Sequence, residues 1–300
     1  MNIWALALGL LCERFLTRIL HLRELRWFDR YFDWALGRIS NFSGVPALLA
    51  AAVLCAALVV PVIAIVVIFG DHLHHVPYVL FAAFVLIFSL GPRDLGREMD
   101  EYMSALQSGD AEETSRRAKE LMESDAGADP DNLPQIEKAV FVQANNRVFG
   151  VIFWFLVAGP AGAWFFRVVD LMRRRAKFES NRLREEGNET APFLHPVRML
   201  HGLLAWVPAR LLALGYALAG SFEDAIHNWR GIAPSERGRF YDLNDRLLAN
   251  VGCGAMGQPE ATDEGAPKWH AVRSAMRLVN RTLFVWLIAI ALMTLFGQGF

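Results

Sequence analysis

Among the charged residues of this chain, Arg210 stands where the chemistry of its surroundings is least hospitable. It lies in "AWVPARLLAL" (205–214), inside an apolar stretch from Met199 to Gly220, two residues after Pro208. An arginine at the centre of a membrane helix costs about 2.5–3.5 kcal/mol even on the lowest insertion scales, and such residues face a cavity or a partner. The expected partner is Asp170, the only acidic residue between Glu137 and Glu179. A competing role for Arg210 is to cap carbonyls that Pro208 leaves without a donor.

Other candidate chemistry is sparse. Asp71, His72, His74 and His75 fall in one short loop, but their spacing is not that of a metal site, and no metal is expected. Cys12, Cys55 and Cys253 are far apart and odd in number, so they read as buried or free thiols. No glycine-rich phosphate loop, HExxH or GxSxG occurs, and no catalytic residue or cofactor is assigned.

The elements that must position Arg210 and Asp170 follow from composition. Hydrophobic residues make up 54% of the 300 and mean hydropathy is +0.27, which points to an all-α, polytopic membrane bundle. A formal charge of −1 offers no footprint for nucleic acid. Residues 45–91 read as a transmembrane hairpin kinked at Pro61, and 282–300 as a C-terminal transmembrane helix. Residues 1–44 form an amphipathic arm, basic and aromatic, suited either to the headgroup region or to packing on the rest of the chain.

Basic residues give sidedness. Residues 1–44 hold six Lys or Arg, 71–75 none, 92–147 seven, 167–198 eight and 221–281 eight. The arm, 92–147 and 221–281 are therefore expected on the cytoplasmic side of a bacterial inner membrane. Two apolar runs, within 148–220 and joined by the basic "RRRAK" (173–177), then pose a conflict: if both cross, those charges lie outside. Gly159-Pro160 and Pro208 favour broken or re-entrant helices, in which interrupted backbone is buried in protein or lines a cavity.

The polar segments read as ordered helices. Asp110 is an N-cap with Glu113 at the capping-box position, Glu112 and Glu113 face Arg116 and Arg117, and a further helix starts near Leu133 and runs into the apolar run. Residues 252–267 read as a linker.

The order of "ALQSGDAEETSRRAKELM", "NLPQIEKAVFVQANNRVFGVIFWFLVAGPAGAWFFRVVDLM" and "WVPARLLALGYALAG", followed by "AIHNW", resembles the AmpE family. That family sits within the superfamily of the cobalamin-biosynthetic membrane synthases CobD/CbiB. The resemblance implies a multi-pass inner-membrane signalling modulator linked to β-lactamase regulation, cell-wall stress and antibiotic resistance. The expected partners are membrane lipids, a small cytoplasmic ligand and a membrane or cytoplasmic protein.

The synthases use ATP to form an amide, and their pattern before the middle apolar run resembles Glu-x-x-x-Glu-Asn. The matching positions are Phe141, Asn145 and Asn146. Their later Ser-Pro-Asn-x-Gly signature is also absent, "APSERG" (233–238) lacking the Asn. Without two carboxylates to hold Mg²⁺ or take a proton, the chain reads as non-enzymatic. A diverged ATP-dependent amide-forming synthase is the alternative. Arg210, Asp170, Asn146, Asn145 and Arg147 are the ligand-binding candidates, in a pocket facing the cytoplasm.

Overall fold

In a computed structural model, residues 28–70, 75–90, 95–122, 133–187, 191–232, 240–257 and 269–296 are described. Among them every regular element is helical. The helices are α1 (Asp29–Ile39), α2 (Gly44–Ala57), α3 (Val60–Gly70), α4 (His75–Ser89), α5 (Leu95–Ser108), α6 (Ala111–Met122) and α7 (Leu133–Ala144). After a π-helical turn at Asn145–Phe149 come α8 (Gly150–Glu185), α9 (Leu194–Ala219), α10 (Phe222–Arg230), α11 (Phe240–Ala255) and α12 (Trp269–Phe296). Asp71, His72, His74 and Cys12, and the arm before residue 28, lie outside the described residues.

Among the described residues three helices are long and apolar enough to cross a membrane: Leu133–Glu185, Leu194–Ala219 and His270–Met293. The bent pair Gly44–Ala57 and Val60–Ile68 makes a fourth if taken as one span. The bend, 45°, falls just before Pro61, which sits in the first turn of α3, where a missing N–H costs no helical bond. Helix α12 begins thirteen residues before the apolar run read from sequence, because Arg273, Arg277 and Arg281 mask a stripe in which Val272, Ala275, Leu278 and Val279 are buried.

The chain divides into two compact units. The first comprises residues up to Arg93 and Asn146–Ala205. In it α1 lies on α2, and both pack on α8, as do α3 and α4. Small residues at the contacts, Ala35, Ala47, Ala51, Cys55 and Ala176, allow close approach, and Phe28, Phe32, Leu36, Ile39, Val168, Met172 and Val197 fill the remaining space.

Two carbonyls of this unit, those of Leu204 and Leu58, are satisfied by tryptophan. Helix α8 kinks at Ala158 (φ −127°, ψ 16°) and Gly159 (φ 64°, ψ −156°), the second a conformation open to glycine, so the expected break at Gly159-Pro160 is present. The expected break at Pro208 is not: α9 runs through it. Pro208 cannot donate to the carbonyl of Leu204, and the indole N–H of Trp154 bonds that oxygen instead, at 3.0 Å. Trp164 likewise donates to the Leu58 carbonyl, 3.1 Å, at the bend between α2 and α3. A helix whose freed carbonyl is satisfied from a neighbour has no cause to unwind.

The second unit comprises Asp94–Asn145 and Trp206–Phe300. Here α7 is central, contacting α5, α6, α11 and α12, while α10 packs on α11. Asp110 caps α6 as its sequence predicts, its carboxylate accepting from the Glu113 N–H at 3.0 Å. Arg117 pairs with Glu113, and Arg116 turns to Glu113 as well rather than to Glu112. The stretch read as a linker from residue 252 remains helical to Ala255, because its glycines serve close packing: a Cβ on Gly252 would stand 2.4 Å from the Phe141 ring. The remainder, 258–267, lies outside the described residues.

Candidate functional site

Asp170 is fully buried on α8, and arginines at helical spacing converge on it. Residues three and four apart share a helix face, so Arg167, Arg173 and Arg174 reach it without any long-range closure. Arg167 Nη1 lies 3.1 Å from Oδ2 and Arg174 Nε 3.0 Å from the same oxygen. Arg173 contacts Oδ1 through Nη2 at 2.7 Å and Nε at 3.2 Å. From α9, His201 places Nε2 3.7 Å from Oδ1, its ring against Phe166.

These donors match the roughly four lone-pair sites of a carboxylate. With its oxygens engaged in this way, the carboxylate has no free lone pair to take a proton as a general base. Stranding it would be costly, since breaking a buried pair costs about 3–5 kcal/mol. The centre is built within α8, and His201 reaches it from α9.

Arg210 is built differently. Its Nη1 donates to the Trp206 carbonyl at 2.8 Å and to Asn244 Oδ1 at 3.1 Å, and its guanidinium carbon lies 4.1 Å from the centroid of the Trp206 ring. Asn244, from α11, is buried. All these partners are neutral, and no carboxylate joins them among the described residues. The expected pairing with Asp170 is replaced by two separate sets of contacts, the two residues belonging to different units. The carbonyl that Arg210 bonds is that of Trp206, not the Leu204 carbonyl that Pro208 frees, and its side-chain partner is an amide in place of the expected acid.

Asn145, Asn146 and Arg147 open the π-helical turn and are buried, at 1%, 2% and 5% exposure. Such turns widen a helix locally and are frequent at functional sites. The unit boundary falls between Asn145 and Asn146, so the five candidates separate into Arg210 and Asn145 in the second unit and Asp170, Asn146 and Arg147 in the first.

Phe141, one turn before, is the residue that changes the chemistry. Its ring is buried beneath Gly252 and meets Tyr216 edge-on, centroids 5.0 Å apart. Tyr216 Oη donates to the Phe141 carbonyl at 3.1 Å. The position that the synthase pattern gives to a carboxylate is here packed solid with aromatic carbon. Among the thiols, burial pushes Cys253 up to about 11, and Cys55 is enclosed with its Sγ 3.5 Å from Met172 Sδ; neither is poised as a nucleophile.

Sequence reasoning missed Asn244 and Trp154 because nothing local marks a distant amide or indole as the partner of a polar group, and it missed Trp206 although the i, i+4 spacing to Arg210 is plain in "WVPAR". It also missed the arginine shell of Asp170, although "RVVDLMRRR" states the spacing openly.

Fold and site together define an all-helical membrane protein with a buried carboxylate centre at Asp170 and a partly exposed arginine at Arg210. The chain belongs to the AmpE family: the family model described as "Regulatory signalling modulator protein AmpE" matches residues 1–299. It is 27% identical over 224 residues to the cobalamin biosynthesis protein CobD of Stutzerimonas stutzeri (strain A1501), covering 69% of this chain and 70% of that one. The CobD of Chromobacterium violaceum is 26% identical over 219 residues, covering 67% of each. Protein AmpE of Shigella flexneri is 24% identical over 235 residues, covering 75% of this chain and 76% of the relative. No solved structure matches.

Proposed function

We propose that this chain is a multi-pass inner-membrane signalling modulator coupled to β-lactamase induction and cell-wall stress, and that it acts by binding rather than by catalysis. Arg210 is its ligand contact, open to the cytoplasm, and the ligand is a small anion or an acidic group on a protein partner. The observation that carries this reading is the packing of Phe141 against Gly252 and Tyr216, which fills with aromatic carbon a position where the related synthases resemble Glu-x-x-x-Glu-Asn. Arg210 supplies the complementary half: a half-exposed cation held by a carbonyl, an amide and an indole ring keeps its charge for an outside anion. Asp170, neutralised by its own helix, is the positioning centre of the first unit, and Asn146 and Arg147 belong to the same unit.

The CobD relatives favour a second reading, a diverged ATP-dependent amide-forming enzyme. Release of ADP by the purified protein, with Mg²⁺ and a corrinoid carboxylate or cell-wall precursor as acceptor, separates the two. The binding reading expects no release above buffer and no ATP binding at millimolar concentration. Turnover that depends on the acceptor would overturn it.

A further inference from the structure

Helix α1 divides its residues between two faces. Phe28, Phe32, Ala35, Leu36 and Ile39 are buried in the first unit's core. Arg30, Trp34 and Arg38, at i, i+4 and i+8, form one exposed stripe, with the Arg38 guanidinium 5.4 Å from the centroid of the Trp34 ring and Trp34 itself 51% exposed. The two acidic residues of the helix point to α8: Asp33 takes Arg175 bidentately at 2.6 and 2.8 Å, and Asp29 lies 4.0 Å from the same guanidinium. Arg30 and Arg38 have no carboxylate partner among the described residues, so the stripe is net positive.

The adjoining helix completes the surface. Four residues after α1 the chain enters α2, whose Val45, Leu49 and Val53, again at i, i+4 and i+8, are exposed. Helix α2 runs antiparallel to the second half of α8, since Leu58 meets Trp164 and Cys55 meets Met172. The first turns of α2 therefore stand level with the basic stretch beyond Met172 and not with the apolar part of α8. An apolar stripe at the depth of charged residues is the arrangement of a helix seated at the boundary of headgroups and acyl chains. The bend after Ala57 is where the chain turns from that boundary into α3.

We propose that α1 and α2 form an interfacial hairpin that binds the anionic phospholipids of one leaflet. Arg38 meets the headgroup phosphates, Trp34 lies one turn deeper at the carbonyl level, Arg30 a turn deeper again extends its side chain toward the same phosphates, and Leu49 and Val53 enter the acyl region. A cation over an indole is weakly hydrated and pairs readily with phosphate, and each arginine at an anionic surface strengthens attraction to it. This assigns a lipid-binding surface within the membrane reading, distinct from the ligand contact at Arg210.

The test uses the full chain in nanodiscs made with lipids brominated on the acyl chain, which quench nearby tryptophan. The difference in fluorescence between wild type and Trp34→Phe isolates Trp34. Its emission is expected to be quenched, and more strongly when the bromines are on phosphatidylglycerol than when they are on phosphatidylcholine in the same mixture. Arg30→Gln with Arg38→Gln, both at exposed positions, is expected to abolish that preference while leaving the quenching by phosphatidylcholine. Absence of Trp34 quenching by either lipid would place protein or water on this face and overturn the proposal. Equal quenching by both lipids in the wild type would overturn its anionic part.

Discussion

One arrangement occurs twice in this chain, once in each unit. Glu113 is followed at i+3 and i+4 by Arg116 and Arg117, and Asp170 by Arg173 and Arg174, and in both cases the two arginines close on the acid. The first acid is partly exposed on α6; the second is sealed within the first unit and gains Arg167 and His201. Spacing on a helix fixes which charges meet, whereas burial fixes what the meeting is worth. Water reaches Glu113 and its arginines whichever partner is lost, whereas Asp170 and Arg167 are shut off from it, at 0% and 1% exposure.

The sharpest way to break this comparison is Asp170→Asn. It leaves the size of the side chain and removes the charge, and should cost about 3–5 kcal/mol, seen as a lower unfolding temperature or loss of folded protein from detergent extracts. A change no larger than that of Glu113→Gln would show that burial does not separate the two nodes. Next in size is Trp154→Phe, which keeps most of the ring but strips the donor from the Leu204 carbonyl; about 1–3 kcal/mol is expected for a buried acceptor left without its bond. The same thermal assay checks it, and an unchanged midpoint would mean that Pro208 does not depend on the indole.

The smallest effect belongs to the exposed node. Hydrogen bonding from Arg116 and then Arg117 lowers the Glu113 carboxyl to about 2. A carboxyl depressed on folding contributes stability that is complete above its unfolded value and is lost as pH falls toward the folded one. The contribution of this node should therefore be flat from neutral pH to the ordinary carboxylate range and decline only below it. Comparing acid titrations of wild type and Glu113→Gln by helical ellipticity measures it, and a difference that opens near neutral pH would contradict the assignment.

Much of this was legible in the residues. Hydropathy gave the helical class, the caps and spacing around Asp110 gave α6, and Gly159-Pro160 located a kink that a positive φ at Gly159 confirms. What was not legible depended on neighbours distant in sequence. Pro208 predicts a break only if its freed carbonyl goes unsatisfied, and Trp154 lies fifty residues away. Residues 252–255 have the composition of a linker, yet they are a helix end shaped to fit Phe141. Arg210 was singled out by its cost in an apolar run; that its partner is the amide of Asn244 required the fold.

The central claim contrasts a closed charge at Asp170 with an open one at Arg210, and Arg210→Ala addresses it directly. In cells lacking the native gene, β-lactamase activity after a β-lactam pulse is compared for wild type, Arg210→Ala and Arg210→Lys, with folded protein measured in parallel. The account predicts normal amounts of folded protein, a stability change below about 1 kcal/mol as for a cation with neutral partners near the surface, and loss of the regulatory effect in the Ala variant. Wild-type regulation in both variants would contradict the account, as would loss of folded protein in both, which would make Arg210 a structural residue like Asp170.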